Sequence, residues 1–507
     1  MAGRMADMNT SDARTLLQGL DDAQREAATA LDGPVRIIAG AGAGKTRTVT
    51  RRIAYACAKG EWDASRSLAV TFSVKAADEM KQRLASLGVG SKVRAATFHS
   101  AALHQLRKVW YDVSAAPFPH VVEDTQEIIA RALRRATGSD QYDDIARRNL
   151  LAEINWAKVS LIAPEDYGRV CAATHRLPPA GLDPQRFADV YTAYEQEKTS
   201  RGEMDFNDIL LLACHVLEAF EEPAASIRQS VGWLTVDEYQ DVSPLQHRLM
   251  DLWLGGNRNV CVVGDPAQTI YSFAGASSHD LLNFAGEFGE LNADINLNTD
   301  YRSTPQVVSM ANRVLSAAPD RDQYLRLVSA RGKDEGMRVV KTVYESDVEE
   351  AQGVAGRIAQ FIAASAKPSQ CAVLTRLNAQ QQVVCKALKE RGIAYRTRHD
   401  VGVSGTVLQD DNESRREAME ILASRREPGV MISSIHAAKG LEFKHVFIIG
   451  CSEGLLPYGS SAPGDALEEE RRLFYVAVTR AEDSLHLSYA RSKDGASTFS
   501  RTPSRFW

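Results

Sequence analysis

Short apolar, β-branched runs alternate along this chain with stretches whose apolar residues return every three or four positions. That alternation predicts strands and helices of parallel α/β sheets. Val35–Ala39 reads as a buried strand that enters a glycine-rich turn and then a helix with Val49, Ile53 and Ala56 on one face. Leu68–Phe72 predicts a second strand, followed by a helix from about Lys75 to Leu87, and Leu234–Val236 and Val260–Val263 predict two more strands. A second set is predicted at Ala372–Thr375, Val430–Ser433, Val446–Ile449 and Leu485–Ser488. Between the halves of the first set, roughly Arg107 to Arg201 is charged and helical in period without clear strands, which predicts an inserted helical subdomain. Asp400–Pro428 is polar, carries Gly402, Gly405 and the run Asp410-Asp411-Asn412-Glu413, and reads as a linker or remnant domain. No internal repeat is visible.

Composition narrows the class. A length of 507 residues implies about three or four domains. With 44% hydrophobic and 25% charged residues, the chain reads as an ordinary soluble protein. Its 60 basic and 65 acidic residues leave a net charge of −5, so any grip on a polyanion must come from local clusters. The seven cysteines are scattered without a C-x-x-C pair, which argues against a disulfide framework and against structural zinc. Met1–Leu20 mixes charges through any apolar stretch, unlike a signal peptide. No apolar run approaches the roughly 20 residues of a membrane span. A cytoplasmic protein without membrane contact is expected.

The sharpest chemical signal is Ala39-Gly40-Ala41-Gly42-Ala43-Gly44-Lys45-Thr46 between a strand and a helix. In a P-loop, glycines let backbone N–H groups turn toward phosphates and the helix N-terminus adds partial positive charge. Lys45 would reach the β- and γ-phosphates, and the Thr46 hydroxyl would bind Mg²⁺. The strict pattern has glycine where this chain has Ala39, and the bland alternative is a glycine-rich turn with an incidental Lys-Thr pair. Leu234-Thr235-Val236-Asp237-Glu238 supplies the second half of such a site. Asp237 would hold Mg²⁺ through water, and Glu238 would polarise the attacking water. Together these predict an ATPase using ATP and Mg²⁺.

The residues around and beyond this acidic pair decide the type. Asp237-Glu238-Tyr239-Gln240-Asp241, Val263-Gly264-Asp265-Pro266-Ala267-Gln268-Thr269-Ile270-Tyr271-Ser272-Phe273 and Tyr301-Arg302-Ser303-Thr304 come in order. His436-Ala437-Ala438-Lys439-Gly440-Leu441-Glu442-Phe443 and Tyr475-Val476-Ala477-Val478-Thr479-Arg480-Ala481 complete the series. With Thr71-Phe72-Ser73-Val74-Lys75 and Thr97-Phe98-His99, it resembles the motif series of superfamily 1 helicases of the UvrD/Rep/PcrA family from Leu20 to about Arg505. Trp156-Ala157-Lys158 and Pro503-Ser504-Arg505-Phe506 resemble the second UvrD-like branch of actinobacteria.

The resemblance implies two RecA-like P-loop lobes with a helical insertion in the first and a much reduced one in the second. The expected boundaries are residues 1–106, 107–203 (insertion) and 204–295 for the first lobe, then 296–399, 400–428 (linker or remnant insertion) and 429–507 for the second. It implies that Gln24 reads the adenine edge, that Tyr301 stacks on adenine and that Glu442 contacts the ribose. Ala41, Gly42, Ala43, Gly44, Lys45, Thr46 and Arg47 would cradle the nucleotide. Gln268 would sense the γ-phosphate, and Arg302 and Arg480 would be arginine fingers crossing the cleft. Fingers carried by the other lobe would make hydrolysis depend on closure.

A sequence-tolerant track needs stacking platforms and phosphate contacts. Phe72, Phe206, Tyr271, Phe273 and Tyr458 are the candidate π-faces, and Thr97, His99 and His436 the candidate phosphate or sugar contacts. Each aromatic is equally at home in a core, and His99 has no metal-partner spacing. The expected partners are single-stranded DNA, single/double-strand junctions and DNA-repair proteins, with movement 3′-to-5′ implied by the resemblance. Ala274 stands where the family usually has Arg, Val74 where it has Asn, and Pro266-Ala267 where it has an acidic pair. These departures bear on coupling rather than on hydrolysis. Rival readings are a helicase–nuclease subunit, for which no nuclease segment follows Arg480, and an ATP-switched remodelling factor with identical motifs.

Overall fold

The computed structural model describes residues 13–90, 92–122, 124–138, 141–272, 275–332, 336–398, 429–459, 463–493 and 500–507. Strands β1 (Val35–Ala39), β2 (Ser67–Thr71) and β3 (Arg94–Thr97) open the first lobe. A short parallel pair, β4 (His120–Val121) with β5 (Glu203–Met204), brackets the insertion. The chain then returns with β6 (Trp233–Val236), β7 (Val260–Gly264) and β8 (Ala293–Leu297). These six long strands form one parallel sheet in the order β3-β2-β6-β7-β1-β8. β2 and β7 are buried at every position, as central strands covered on both faces must be. Val35, Ile37 and Ala39 pack on one face with Val49, Ile53 and Ala56, while Ile38 packs on the other.

After the small parallel pair β9 (Thr299–Asp300) and β10 (Val328–Ser329) comes the second lobe. Its strands are β11 (Val340–Ser346), β12 (Cys371–Thr375), β13 (Tyr395–Arg398), β14 (Val430–Ser434), β15 (Phe443–Ile448) and β16 (Ala481–Ser492). They form a second parallel sheet in the order β11-β16-β15-β12-β14-β13. The lobes touch through apolar side chains, because Ala41, Ala267 and Ile270 pack into the cluster that holds Val307 and Tyr475.

The insertion has its own core, with Ile129, Leu150, Ile154, Tyr167, Phe187 and Tyr194 from four helices. Three expectations need adjustment. The helix Phe98–Val113 runs unbroken through residue 107, and its Val109 packs in the first-lobe core, so the chain leaves that lobe after Val113. The stretch read as strandless contains β4. β16 is much longer than Leu485–Ser488, and β15 starts at Phe443 rather than Val446. The expected linker or remnant at 400–428 lies outside the described residues.

Candidate active site

β6, β7 and β1 are neighbours, so the loops leaving their C-terminal ends converge at one edge of the first sheet. Gly40 N–H donates to Leu297 O at 3.0 Å and anchors the loop after β1. Gly42 and Gly44 turn with φ of +71° and +76°, a region that glycine enters without steric cost. The helix Lys45–Ala58 begins with no side-chain cap and no acidic residue in its first turn, leaving its N-terminal field for an anion. The turn after β9 lies against this loop. Tyr301 N–H donates to Gly42 O at 3.1 Å, and a Cβ on Gly42 would collide with Asp300 Oδ1. That carboxylate in turn accepts the N–H groups of Arg302 (2.7 Å) and Ser303 (2.9 Å).

Lys45 Nζ lies 3.1 Å from Glu238 Oε1. Burial alone would lower the Lys45 pKa, but Glu238, Asp265 and Asp237 together carry it upward. The carboxylates divide. Burial and the Glu238 charge push Asp237 up, whereas Lys45 and Lys439 overcome burial and pull Glu238 down. Glu238 also sits at φ +53°, a left-handed conformation costing a non-glycine residue about 1–3 kcal/mol that the surrounding bonds must offset. Gln240 is one such bond, donating to Glu238 Oε2 at 2.6 Å and accepting Asp265 N–H at 2.9 Å. Asp237, Glu238 and Asp265 all act on Lys45 through carboxylate oxygens, and the hydroxyl-bearing Thr46 follows it in the first turn of the helix. That chemistry fits a hard divalent cation such as Mg²⁺.

The second lobe contributes cations. Arg480, 3% exposed, follows the helix Asp465–Val478 and donates to Gln268 Oε1 at 3.4 Å and to Leu441 O at 3.1 Å. Gln268 Nε2 donates onward to Asp265 Oδ2 at 2.8 Å, so a polar chain links the lobes. Burial and the neighbouring Arg302 lower the Arg480 pKa to about 10. Arg302 pairs with Glu442 at 2.8 Å. Lys439, which belongs to the His436–Phe443 motif but carries no role in the sequence expectations, crosses the cleft to Asp241 Oδ2 at 2.5 Å and Gln268 O at 2.6 Å. The available signal was a lysine inside that motif, with Asp241 of the acidic motif also unassigned.

At the other end of the cleft, Gln24 forms a reciprocal capping box with Asp21 and donates to Ala43 O at 2.9 Å. The Tyr301 hydroxyl donates to Asp21, and Arg47 to Gly19 O at 2.8 Å.

The aromatic candidates fall into three groups. Phe72 and Tyr271 stack on each other at 5.4 Å, with His436 6.3 Å from the Tyr271 ring. His99 and Phe206 stack at 3.5 Å, and burial holds His99 neutral with its pKa lowered to about 3. Tyr458 is 53% exposed under the Arg376 guanidinium, its N–H donating to Glu470 at 3.0 Å. Thr97 caps the helix Phe98–Val113 through Ser100 N–H at 3.2 Å. Phe273 and Ala274 lie outside the described residues.

The UvrD/REP helicase N-terminal domain matches residues 20–289. The UvrD-like helicase C-terminal domain matches residues 295–402 and 412–492. The ATP-dependent DNA helicase UvrD2 of Mycobacterium tuberculosis is 39% identical over 97% of this chain and 81% of its own length. That alignment spans 576 positions, more than the 507 residues here, so the relative carries residues this chain lacks. The ATP-dependent DNA helicase PcrA of Bacillus subtilis is 31% identical over 81% of this chain and 53% of its own. PcrA of Staphylococcus aureus is 26% identical over 94% of this chain and 84% of its own. No described helix is long and apolar enough to cross a membrane. The chain belongs to the UvrD/Rep family of ATP-dependent DNA helicases.

Proposed function

We propose that this protein hydrolyses Mg·ATP in the cleft between its lobes and uses the cycle to move 3′-to-5′ along single-stranded DNA. The observation that carries the reading is the chain Arg480–Gln268–Asp265, which joins a second-lobe guanidinium to the Lys45 and Glu238 side of the first lobe. Phosphoryl transfer responds to positioned positive charge, and an arginine finger contributes about 10³–10⁵ in rate. In this reading Lys45 holds the β- and γ-phosphates, Glu238 orients the attacking water, and Arg302 and Arg480 meet the developing charge as the lobes close. Glu442 would release Arg302 for that task by turning to the ribose, while Gln24, Arg47 and Tyr301 hold the base end. Thr46 and Asp237 would hold Mg²⁺, which neutralises phosphate charge when bound.

The track would run over Phe72 and Tyr271, past Phe206, to Tyr458 on the second lobe. Thr97, His99 and His436 would flank it near phosphate or sugar. Junctions of single and double strands are the expected substrates, in DNA repair within the cytoplasm.

A second reading is favoured by the alignment, in which the mycobacterial relative carries residues absent here. A motor with a reduced second insertion would translocate, and strip bound proteins, without separating strands unaided. Two assays decide these points. Displacement of streptavidin from the 5′ end but not the 3′ end of a biotinylated oligonucleotide is expected for 3′-to-5′ movement, and the reverse preference would refute that polarity. Efficient unwinding of a 3′-tailed duplex by the monomer would defeat the second reading.

A further inference from the structure

Two lysines are enclosed where the helical insertion meets the first lobe. Lys158 lies at the end of the helix Asp144–Val159 and Lys198 near the end of Pro184–Thr199, their side chains 1% and 2% exposed. Both ammonium groups face the same three carboxylates. Lys158 Nζ lies 2.6 Å from Asp205 Oδ2, 2.5 Å from Asp208 Oδ1 and 2.9 Å from Glu195 Oε1. Lys198 Nζ lies 2.6 Å from that same Asp205 oxygen, 2.5 Å from Asp208 Oδ2 and 3.0 Å from Glu195 Oε2. The Tyr194 hydroxyl adds a bond to Asp205 Oδ2 at 3.1 Å. Each ammonium thus has one carboxylate for each of its three donors.

Burying such charges costs several kcal/mol per ion before pairing offsets it. Helix capping does not account for the arrangement, because a single side chain suffices for a cap. What the network holds is the N-terminus of the helix Phe206–Ala219, since Asp205 and Asp208 form its reciprocal capping box. Phe206 is the first residue of that helix, and its ring lies on His99 at 3.5 Å and 15°. Asn207 beside it donates to Asn155 Oδ1 at 2.9 Å, on the same insertion helix as Lys158. The end of that helix also abuts the chain just beyond the Tyr271 turn, for a Cβ on Gly275 would stand 3.1 Å from Val159 Cγ2.

We infer that Lys158 and Lys198 are positioning residues for the DNA track. They lock the helix of Phe206 to the insertion and so hold its ring ready for a base. A platform fixed in advance loses less freedom when a base stacks on it, which strengthens binding without adding a contact. The inference rests on the reading of Phe206 as a stacking platform.

The test is a double-mutant cycle read by fluorescence anisotropy of labelled oligo-dT, with the DNA dependence of ATP turnover measured in parallel. Phe206→Ala is expected to weaken oligo-dT binding about fivefold or more, the usual range for a lost base stack. Lys158→Met should weaken it comparably in the wild-type background, yet by less than about twofold on top of Phe206→Ala, because coupled residues do not add. The half-saturating DNA concentration should rise more than the maximal turnover falls. Should Lys158→Met fail to fold, Asn155→Ala, which removes only the bond to Asn207, carries the same cycle with a smaller effect. Equal weakening in both backgrounds would overturn the inference, as would wild-type binding by both insertion variants. Wild-type binding by Phe206→Ala would instead remove the platform reading, and this inference with it.

Discussion

Arg480 is enclosed, yet its pKa stays near 10, so it carries its charge through the physiological range while its hydrogen bonds go only to neutral acceptors. Glu442 and Glu238 act on it only from a distance, Glu442 being paired with Arg302, so a γ-phosphate would supply the missing direct counter-charge. Arg480→Ala should therefore cut kcat about 10³-fold with little change in affinity for a fluorescent ATP analogue, measured by steady-state turnover and by titration. An equal loss in affinity and kcat would assign Arg480 to ground-state binding instead. His99 gives a second test at this scale. Its pKa in the fold is about 3, below the ordinary 6.5, because it is buried against Phe206. Above pH 6.5 neither folded nor unfolded chain takes the proton. Below it the unfolded chain does and the fold does not, so stability is lost from pH 6.5 down to about 3. By pH 5 the His99 contribution to the loss should reach about 2 kcal/mol, visible in denaturant unfolding at pH 7 and 5 and diminished in His99→Asn. An unchanged pH dependence in the variant would contradict this burial.

At the scale of elements, the strands that the hydrophobic pattern revealed are the interior ones, and those it missed are the edges. β3 and β8 flank the first sheet and β11 and β13 the second. Their residues alternate between half-buried or buried and exposed, as in β11 and β13, rather than forming the unbroken apolar runs of β2, β7 and β12. A run-based reading sees only strands covered on both faces and paired on both sides. The glycine-rich loop between β1 and its helix was legible because glycines, Lys45 and Thr46 are contiguous. The Lys439 bridge was not, because its partners Asp241 and Gln268 lie far off in sequence and meet it only when the second lobe docks. Burial pushes Asp241 up to about 6 despite Lys439, so its carboxylate sits where charge is disfavoured and depends on the ammonium for compensation. Lys439→Ala should weaken lobe docking by about 2–5 kcal/mol, the cost of stranding a buried partner. Spin labels placed one on each lobe should then report a broader distance distribution than in wild type. An unchanged distribution would mean that the other contacts hold the lobes without it, among them the apolar packing of Ala41, Ala267 and Ile270 and the bonds Arg480–Gln268 and Arg472–Thr269.

For the whole molecule, two sheets each present one half of a cleft, and neither half is complete. The first lobe offers the loop, the carboxylates and Lys45, and the second offers Arg302, Lys439 and Arg480. Phe72 follows β2, the neighbour of β6, and Tyr271 lies beyond β7, so a strand stacked on them, as proposed, would touch loops beside those that carry the acidic residues. The net charge of −5 gives no hint of such a track, since a grip of this kind would depend on local geometry. ATP turnover should therefore depend on DNA. The most direct measurement is steady-state hydrolysis with and without oligo-dT, in wild type and Lys45→Ala. A rate at least about tenfold higher with DNA, abolished in Lys45→Ala, is expected for a cleft completed by closure on a strand. A wild-type rate that is the same with and without DNA would contradict the account.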